Sequence, residues 1–208
     1  MAYARSIPLL DWLGPRRDTI QTLEAAYGTA AGIDGPGRPS PAARPLAHAY
    51  TLGVVAEFQG FLRALHDLAV ERWMVTAVEK DRLRPQVEAA AVQDRSLDRG
   101  NATVRGITDD FGRIGLRGLS GKLKNGNPKW DPDPGRGDMA EYNDLTALRN
   151  ALAHGNERQV GRLRQKQPPV LDTLGWTRDR LPGLTRTARV LDRVVWDHLS
   201  ATLQTKPW

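Results

Sequence analysis

A long run of apolar residues at helical spacing constrains this chain more than any other feature of its sequence. Between about Leu46 and Val78, apolar side chains recur every three or four positions, at Leu52, Val55, Phe58, Leu62, Leu65, Ala69 and Trp73. Because an α-helix completes a turn in about 3.6 residues, this spacing places them on one face. The pattern predicts a long amphipathic helix that buries one side in a core.

Shorter patterns predict further helices on both sides of this one. They cover residues 15–27, 104–114, 138–154 and 184–203. Asn101 or Thr103 can cap the second of these, and Gly28 ends the first. The segments 28–45 and 118–137 are predicted to be connections, because they are rich in Gly, Pro or polar residues. Apolar and polar residues nowhere alternate as in strands, so we expect an all-α fold of four to five main helices with long loops.

The length of 208 residues and the hydrophobic content of 40% suit a single globular domain. Within it, we expect residues 1–46 to form an N-terminal segment with one short helix and a mobile Gly/Pro-rich stretch. Residues 47–208 are expected to form the helical domain. We expect no activity in the Gly/Pro-rich stretch 28–45.

The composition argues against several kinds of site. The absence of cysteine excludes disulfides, thiol nucleophiles and thiolate metal sites. The four histidines form no local pair of metal ligands, so we expect neither a metal ion nor another cofactor. The segment GLSGKL at 118–123 lacks both the first Gly and the Ser or Thr of a phosphate-binding loop.

The sequence also argues against a membrane protein. No apolar run approaches the roughly 18 residues that a membrane span needs, and the first residues lack the apolar length of a secretory signal. We therefore expect a soluble, cytoplasmic protein.

Positive charge is concentrated in one part of the chain. The net charge is +6, and the segment 155–190 holds eight basic against three acidic residues, a regional net charge of +5. A polyanion is a natural partner for such a segment. The alternative is an ordinary solvated surface in a chain that uses more Arg than Lys. A basic, helical DNA-binding protein is a further alternative, but no helix-turn-helix spacing is evident.

The segment 141–156, EYNDLTALRNALAHGN, differs from an ordinary exposed helix. On a helical wheel, Leu145, Leu148 and Leu152 form a core stripe. The opposite face is small and polar, and consists of Asn143, Ala147, Asn150 and His154. An exposed face would more often carry Lys and Glu, so this composition suits close contact between two copies of the same helix.

Arg149 and His154 also have a purely structural interpretation. A histidine near the C-terminal end of a helix interacts favourably with the helix dipole. Arg149 would then pair with Asp144 or Glu141 on the surface. Likewise, Trp130 and Trp176 could stack on bases or pack down a loop.

Residues 149–155, R-N-A-L-A-H followed by Gly155, resemble the R-x4-H motif of the HEPN superfamily. Its members are all-helical domains, many of which act as metal-independent ribonucleases. The polar Asn150 directly after Arg149 matches that pattern as well. The chain is most similar to the RiboL-PSP-HEPN group, in which a long helix precedes a motif that often ends LRNxxAHG. The resemblance covers roughly residues 47–203 and implies a HEPN-like helical bundle.

The resemblance implies an RNA endonuclease that leaves 2′,3′-cyclic phosphate ends. Arg149 and His154 would act at a homodimer interface, and Asn150 would orient His154 or bind phosphate. Glu57, on the long helix, is a candidate supporting carboxylate. Basic residues of the segment 155–190 would hold the RNA backbone on either side of the cut, namely Arg158, Arg162, Arg164 and Lys166.

Relatives of this kind are often toxins or phage-defence effectors, so an antitoxin or regulatory protein is an expected partner besides RNA. The alternative within the same resemblance is a non-catalytic HEPN module. Such a module would bind RNA or nucleotides, or serve as a dimerising interaction partner.

Overall fold

The computed structural model describes residues 2–31, 43–77, 84–99, 102–132 and 137–208. Within these ranges every regular element is helical and no residue belongs to a strand, so the predicted all-α class is confirmed. The helices are α1 Ile7–Leu13, α2 Pro15–Ala31, α3 Ala43–Ala77, α4 Arg84–Val92, α5 Val104–Gly112, α6 Leu119–Gly126, α7 Asp138–Ala153, α8 Glu157–Arg164, α9 Leu174–Arg178 and α10 Leu181–Leu203. A 3₁₀ turn, Ser96–Asp98, precedes α5.

The long helix predicted from apolar spacing is α3. Phe58, Leu62 and Leu65 are all buried, as the stripe requires. The helix begins at Ala43, slightly before the predicted start, and the predicted last residue, Val78, lies outside the described residues. The period of the apolar pattern therefore predicted this element correctly.

The N-terminal region is more helical than predicted. The helix expected to end at Gly28 continues as α2 to Ala31, and α1 was not predicted at all. A single Gly lowers helix stability by about 1 kcal/mol and does not by itself end a helix. Part of the predicted connection 28–45 is thus helical, and its residues 32–42 lie outside the described residues.

The prediction of a polar loop over 118–137 is wrong for its first part, which forms α6. Leu119 and Leu123 are one turn apart and both buried, which gives this short helix an apolar stripe. Similarly, α8 and α9 lie in a stretch where no helix was predicted. Helices of five to eight residues carry too few apolar positions for a periodic signal.

The chain forms two compact units, within which residues contact one another densely. Each unit is assembled from separate stretches of sequence. Unit 1 comprises Met1–Leu10, Gln59–Trp130 and Arg186–Trp208, and unit 2 comprises Asp11–Phe58 and Asp131–Thr185. The predicted boundary after residue 46 stays a prediction.

In unit 1, a buried carboxylate holds the N-terminal segment to α10. The hydroxyl groups of Tyr3 and Ser6 both donate to Asp192, which is fully buried. The Trp208 indole donates to the Ala4 carbonyl at 3.0 Å. Burial raises the pKa of Asp192, although the hydrogen bonds from Ser6 and Tyr3 oppose this shift.

His66 is a structural residue of unit 1. It is fully buried, its Nε2 lies 3.0 Å from the Asp110 carbonyl oxygen, and its Nδ1 lies 3.2 Å from Arg95 Nη1. Because arginine only donates, Nδ1 accepts and Nε2 donates, which fixes a neutral tautomer. Burial, with the nearby Arg95 charge, lowers the pKa of His66.

In unit 2, aromatic rings anchor α7 against α3. The Tyr142 ring of α7 meets Phe58 of α3 edge-on, with centroids 5.4 Å apart. Trp12 meets the same Phe58 at 5.2 Å. Leu145 and Leu148 of α7 are also completely buried. The core thus holds α7 as far as Leu148, and the motif residues follow on its last turns and C-cap.

Candidate functional site

The end of α7 is built by local backbone geometry. Gly155 has a φ of +59°, in the left-handed region that favours glycine. Its N–H bonds to the Leu152 carbonyl at 3.1 Å, and the Asn156 N–H bonds to the Ala151 carbonyl at 2.8 Å. This pair of bonds is the Schellman motif, which satisfies the last carbonyl groups of a helix. It places His154 at the C-cap, on an exposed corner.

The same corner starts the next helix. The Asn156 side chain accepts a hydrogen bond from the Gln159 N–H at 3.0 Å and so caps α8. A single residue therefore links the end of α7 to the beginning of α8. As a result, the motif and the basic helix that follows it are joined by a short, hydrogen-bonded turn.

The motif residues Arg149, Asn150 and His154 lie on the last turns of α7. Arg149 and Asn150 are half-buried, and Arg149 Nη1 donates to Asn150 Oδ1 at 3.3 Å. The His154 side chain is exposed, and within the described ranges no side-chain hydrogen bond reaches it. The Asn150 amide oxygen therefore orients the guanidinium, a contact that sequence reasoning did not include.

The helical wheel of α7 separates the faces largely as predicted. Leu145 and Leu148 are buried, while Leu152 is only half-buried and the neighbouring Ala151 is buried instead. On the opposite face, residues 143 and 154 are exposed and residues 147 and 150 are half-buried. This small, polar face is accessible in the single chain.

Glu57, the predicted supporting carboxylate, lies on α3 in unit 2 and is held by a cation. Arg16 Nη1 of α2 lies 2.8 Å from Glu57 Oε2, and both side chains are about three-quarters buried. Sequence reasoning could not foresee this pair, because it depends on how α2 packs on α3.

Two of the four predicted RNA contacts, Arg158 and Arg162, lie one turn apart on α8. Both are exposed, and no side-chain partner is seen for either in the described part of the chain. Val160 and Leu163 bury the other side of the helix. Packing on that side leaves the two guanidinium groups facing solvent.

The other two predicted contacts, Arg164 and Lys166, are engaged within the chain. Arg164 donates from Nε to Asp172 Oδ1 at 2.8 Å and from Nη2 to Oδ2 at 2.6 Å. Lys166 forms an ion pair with Asp144 of α7. Of the four predicted RNA contacts, Arg158 and Arg162 are thus accessible, whereas Arg164 and Lys166 form ion pairs within the chain.

Asp172 is a residue that sequence reasoning missed. Besides Arg164, it accepts from Arg44 Nε at 3.2 Å and lies 3.0 Å from His48 Nε2. Burial disfavours the charged form, but the hydrogen bonds from Arg164 and His48 outweigh it and hold the pKa of Asp172 well below its usual range. His48 and Arg44 are 124 and 128 positions away in sequence, so no local signal reveals this cluster.

Neither Trp130 nor Trp176, which lies on α9 rather than in a loop, is presented as a stacking platform. Trp130 is 2% exposed and Trp176 is 8% exposed. The Arg180 guanidinium covers the Trp176 ring at 3.5 Å from its centroid. Packing, the second of the two interpretations, is the one observed.

The described ranges contain no cluster of three or more His, Asp or Glu side chains arranged to hold a metal ion. Nor does any helix among them combine the length and apolar character needed to cross a membrane. Comparisons of the chain with family models, curated proteins and solved structures found no match.

Proposed function

We infer that this chain is a metal-independent RNA endonuclease of the HEPN type. One observation carries the proposal: Arg149, Asn150 and the exposed His154 lie together at the end of α7, next to the accessible basic residues of α8. The end of α7 and the adjoining α8 therefore offer a proton-transfer group, an oriented guanidinium and further cations.

These groups match the needs of RNA self-cleavage. The 2′-hydroxyl attacks the adjacent phosphate, so a base must remove its proton, an acid must protonate the departing 5′-oxygen, and cations must stabilise the phosphorane. Imidazole suits both proton transfers, because its ordinary pKa of about 6.5 is close to working pH. Arginine supplies planar, permanently charged donors to phosphate oxygens.

A homodimer would supply both proton-transfer groups. One chain brings one motif imidazole, His154, and two α7 helices related by a twofold axis would bring a pair. One imidazole then acts as base and the other as acid, while both Arg149 guanidinium groups bind the phosphate. The accessible face with Ala147 and Asn143 is small enough for such an approach.

The neighbouring contacts define supporting roles. Asn150 holds the Arg149 guanidinium in position through its amide oxygen. Arg158 and Arg162 bind the RNA backbone beside the cut. Glu57, already neutralised by Arg16, is left with a structural role.

The second candidate is a HEPN module that binds RNA or nucleotides without cleaving them. It is favoured by the engagement of Glu57, Arg164 and Lys166 in ion pairs within the chain. Both candidates place RNA on α7 and α8, and only chemistry separates them.

The decisive experiment is RNA cleavage in excess EDTA. Wild-type protein should cleave and leave 2′,3′-cyclic phosphate and 5′-hydroxyl ends. His154→Ala should reduce the rate by roughly a hundredfold to ten-thousandfold, the usual contribution of proton transfer. Arg149→Lys should retain little activity, because an ammonium cannot bridge two phosphate oxygens.

The matched control is His198→Gln, which removes another imidazole. His198 Nε2 lies 2.9 Å from the Ile114 carbonyl in unit 1, and a glutamine amide can donate there instead. Its rate should equal that of the wild type. Cleavage that needs magnesium, or that yields 5′-phosphates, would contradict the mechanism. A folded dimer that binds RNA without cleaving it would establish the binding module.

The resemblance extends the proposal to a toxin or phage-defence effector controlled by an antitoxin or regulatory protein. Expression of the wild type should then arrest bacterial growth, and expression of His154→Ala should not. Equal toxicity of the two proteins would contradict this role.

A further inference from the structure

Unit 1 contains an open groove that the ribonuclease proposal does not use. It has a volume of about 400 Å³ and lies between the C-terminal end of α6 and the first turns of α10. Pro128 and Val190 contribute apolar surface to it, and Lys129, Arg186 and Arg189 contribute basic side chains. Its volume is in the range of ligand-binding sites in proteins, roughly 300–1,000 Å³.

The walls of the groove are fixed by short-range contacts. Gly126 approaches Val190 so closely that an added Cβ would lie 2.5 Å from Val190 Cγ1. The next turn is held by the Asn127 side chain, which accepts from the Lys129 N–H at 3.1 Å, and by a bond of 2.7 Å from the Trp130 N–H to the Asn127 carbonyl. Asn127 and Trp130 are both buried. A rigid groove loses little conformational entropy when it is occupied.

The charge around the groove has one sign. All charged residues that line it are cations, and Lys129 and Arg189 are exposed. In the described part of the chain, no side-chain partner is seen for either of these two. Cations left at the rim of an apolar groove favour a partner that carries both negative charge and apolar surface.

We propose that this groove binds an acidic peptide segment of a partner protein, with an apolar side chain placed against Val190 and Pro128 and carboxylates against Lys129 and Arg189. A peptide fits better than a nucleic acid for a physical reason. Surfaces that bind single strands use aromatic rings on which bases stack, whereas the residues that line this groove include no aromatic ring. The proposal is independent of RNA cleavage.

The experiment titrates the full-length, ¹⁵N-labelled protein with a blocked hexapeptide of four glutamates and two leucines. Backbone amide shifts should concentrate at residues 126–130 and 186–190. The same peptide with glutamine in place of glutamate should bind at least about tenfold more weakly, because the charge attraction is removed. Equal binding of the two peptides, or shifts centred elsewhere, would overturn the proposal.

Two variants localise the effect. Lys129→Glu/Arg189→Glu should weaken binding of the acidic peptide by at least about tenfold. The matched control, Arg105→Glu/Arg117→Glu, reverses the same number of exposed charges elsewhere in unit 1 and should bind like the wild type. If both double variants weaken binding equally, the attraction is general and the groove is not the site.

A third titration tests the competing occupant. Hexauridylate should not displace the peptide from residues 126–130 and 186–190. Displacement with larger shifts at the groove would assign it to nucleic acid and overturn the peptide proposal. Val190→Thr, which replaces a methyl group by a hydroxyl, should weaken peptide binding several-fold, and unchanged binding would contradict the apolar contact with Val190.

Discussion

Two buried carboxylates illustrate how residue-scale contacts set opposite responses to pH. Asp172 is bound by Arg164, His48 and Arg44; burial favours its neutral form, but the hydrogen bonds from Arg164 and His48 outweigh burial and hold its pKa below the ordinary value of 3.8. Asp192 is bound by neutral hydroxyl groups, and burial raises its pKa. The first group stabilises the native state when charged, and the second when protonated.

The first prediction concerns Asp172. Asp172→Asn should lower the free energy of unfolding at pH 7 by about 2 kcal/mol, because half-exposed arginines lose a buried carboxylate partner. The pKa of Asp172 is lower in the native state than its unfolded-state value of 3.8. Its charged form therefore stabilises the native state fully above pH 3.8, and this stabilisation is lost as the pH falls through the native pKa. Urea denaturation at pH 7 and at about pH 3 should therefore show the difference from wild type shrinking with acid.

Two controls accompany this measurement. Asp197→Asn removes an exposed ion pair with Arg193 and should cost no more than about 0.5 kcal/mol. Asp192→Asn should show the reverse trend, a difference from wild type that grows with acid. The pKa of Asp192 is raised in the native state, so its stabilising contribution is lost as pH rises. A difference for Asp172→Asn that stays constant with pH would contradict the assigned shift.

Among the helices, α8 carries basic residues with two different roles. Its exposed pair, Arg158 and Arg162, is predicted to contact RNA, while Arg164 supports the fold. Arg158→Gln/Arg162→Gln should flatten the slope of log affinity against log salt by up to about 0.7 for each phosphate of a single strand that is no longer neutralised. Fluorescence anisotropy with labelled RNA at several salt concentrations measures this slope.

The control for α8 is Arg105→Gln/Arg117→Gln, which removes the same charge from exposed positions of unit 1. Its slope should match that of the wild type. An unchanged slope of log affinity against log salt for the α8 variant would mean that Arg158 and Arg162 do not contact RNA and belong to an ordinary solvated surface.

The next prediction belongs to α6. Gly126→Ala should destabilise the protein by about 1–3 kcal/mol, because its Cβ would lie 2.5 Å from Val190 Cγ1, and a β-branched side chain in a helix has little rotamer freedom. Gly121→Ala, in the same helix with nothing within 4 Å of its Cβ, should stabilise by about 0.5–1 kcal/mol. Thermal unfolding measures both variants. A loss of stability in both Gly126→Ala and Gly121→Ala, or in neither, would contradict this packing.

For the whole molecule, the central prediction is a homodimer built on the polar face of α7. Light scattering at micromolar concentration should give twice the chain mass for the wild type. Ala147→Glu should give monomers that do not cleave RNA, because a bulky charge would be placed between the two helices. Ala201→Glu, an exposed alanine on α10, is the matched control and should remain dimeric. Cleavage by a monomeric Ala147→Glu protein would exclude the two-histidine mechanism.

Features that depend on neighbouring residues could be predicted from the sequence alone. The period of apolar side chains predicted α3 and α7, and the Thr103 side chain caps α5 through the Gly106 N–H, one of the two caps expected. Gly155 ends α7 as predicted, because the left-handed conformation favours glycine. The separation of Leu148 from His154 on opposite faces follows from the same helical geometry. These features depend on residues within one or two helical turns of each other, so they can be predicted without knowledge of the fold.

Which polar side chains form ion pairs and which are accessible depends instead on how the helices pack. Glu57 is neutralised by Arg16 and Lys166 by Asp144, and Asp172 binds Arg44 from a distant stretch of the chain. Such pairs depend on which helices come together, and a sequence pattern records no such proximity. The short helices α6 and α8 belong here as well, because burial against the rest of their unit, rather than propensity, stabilises helices of about eight residues.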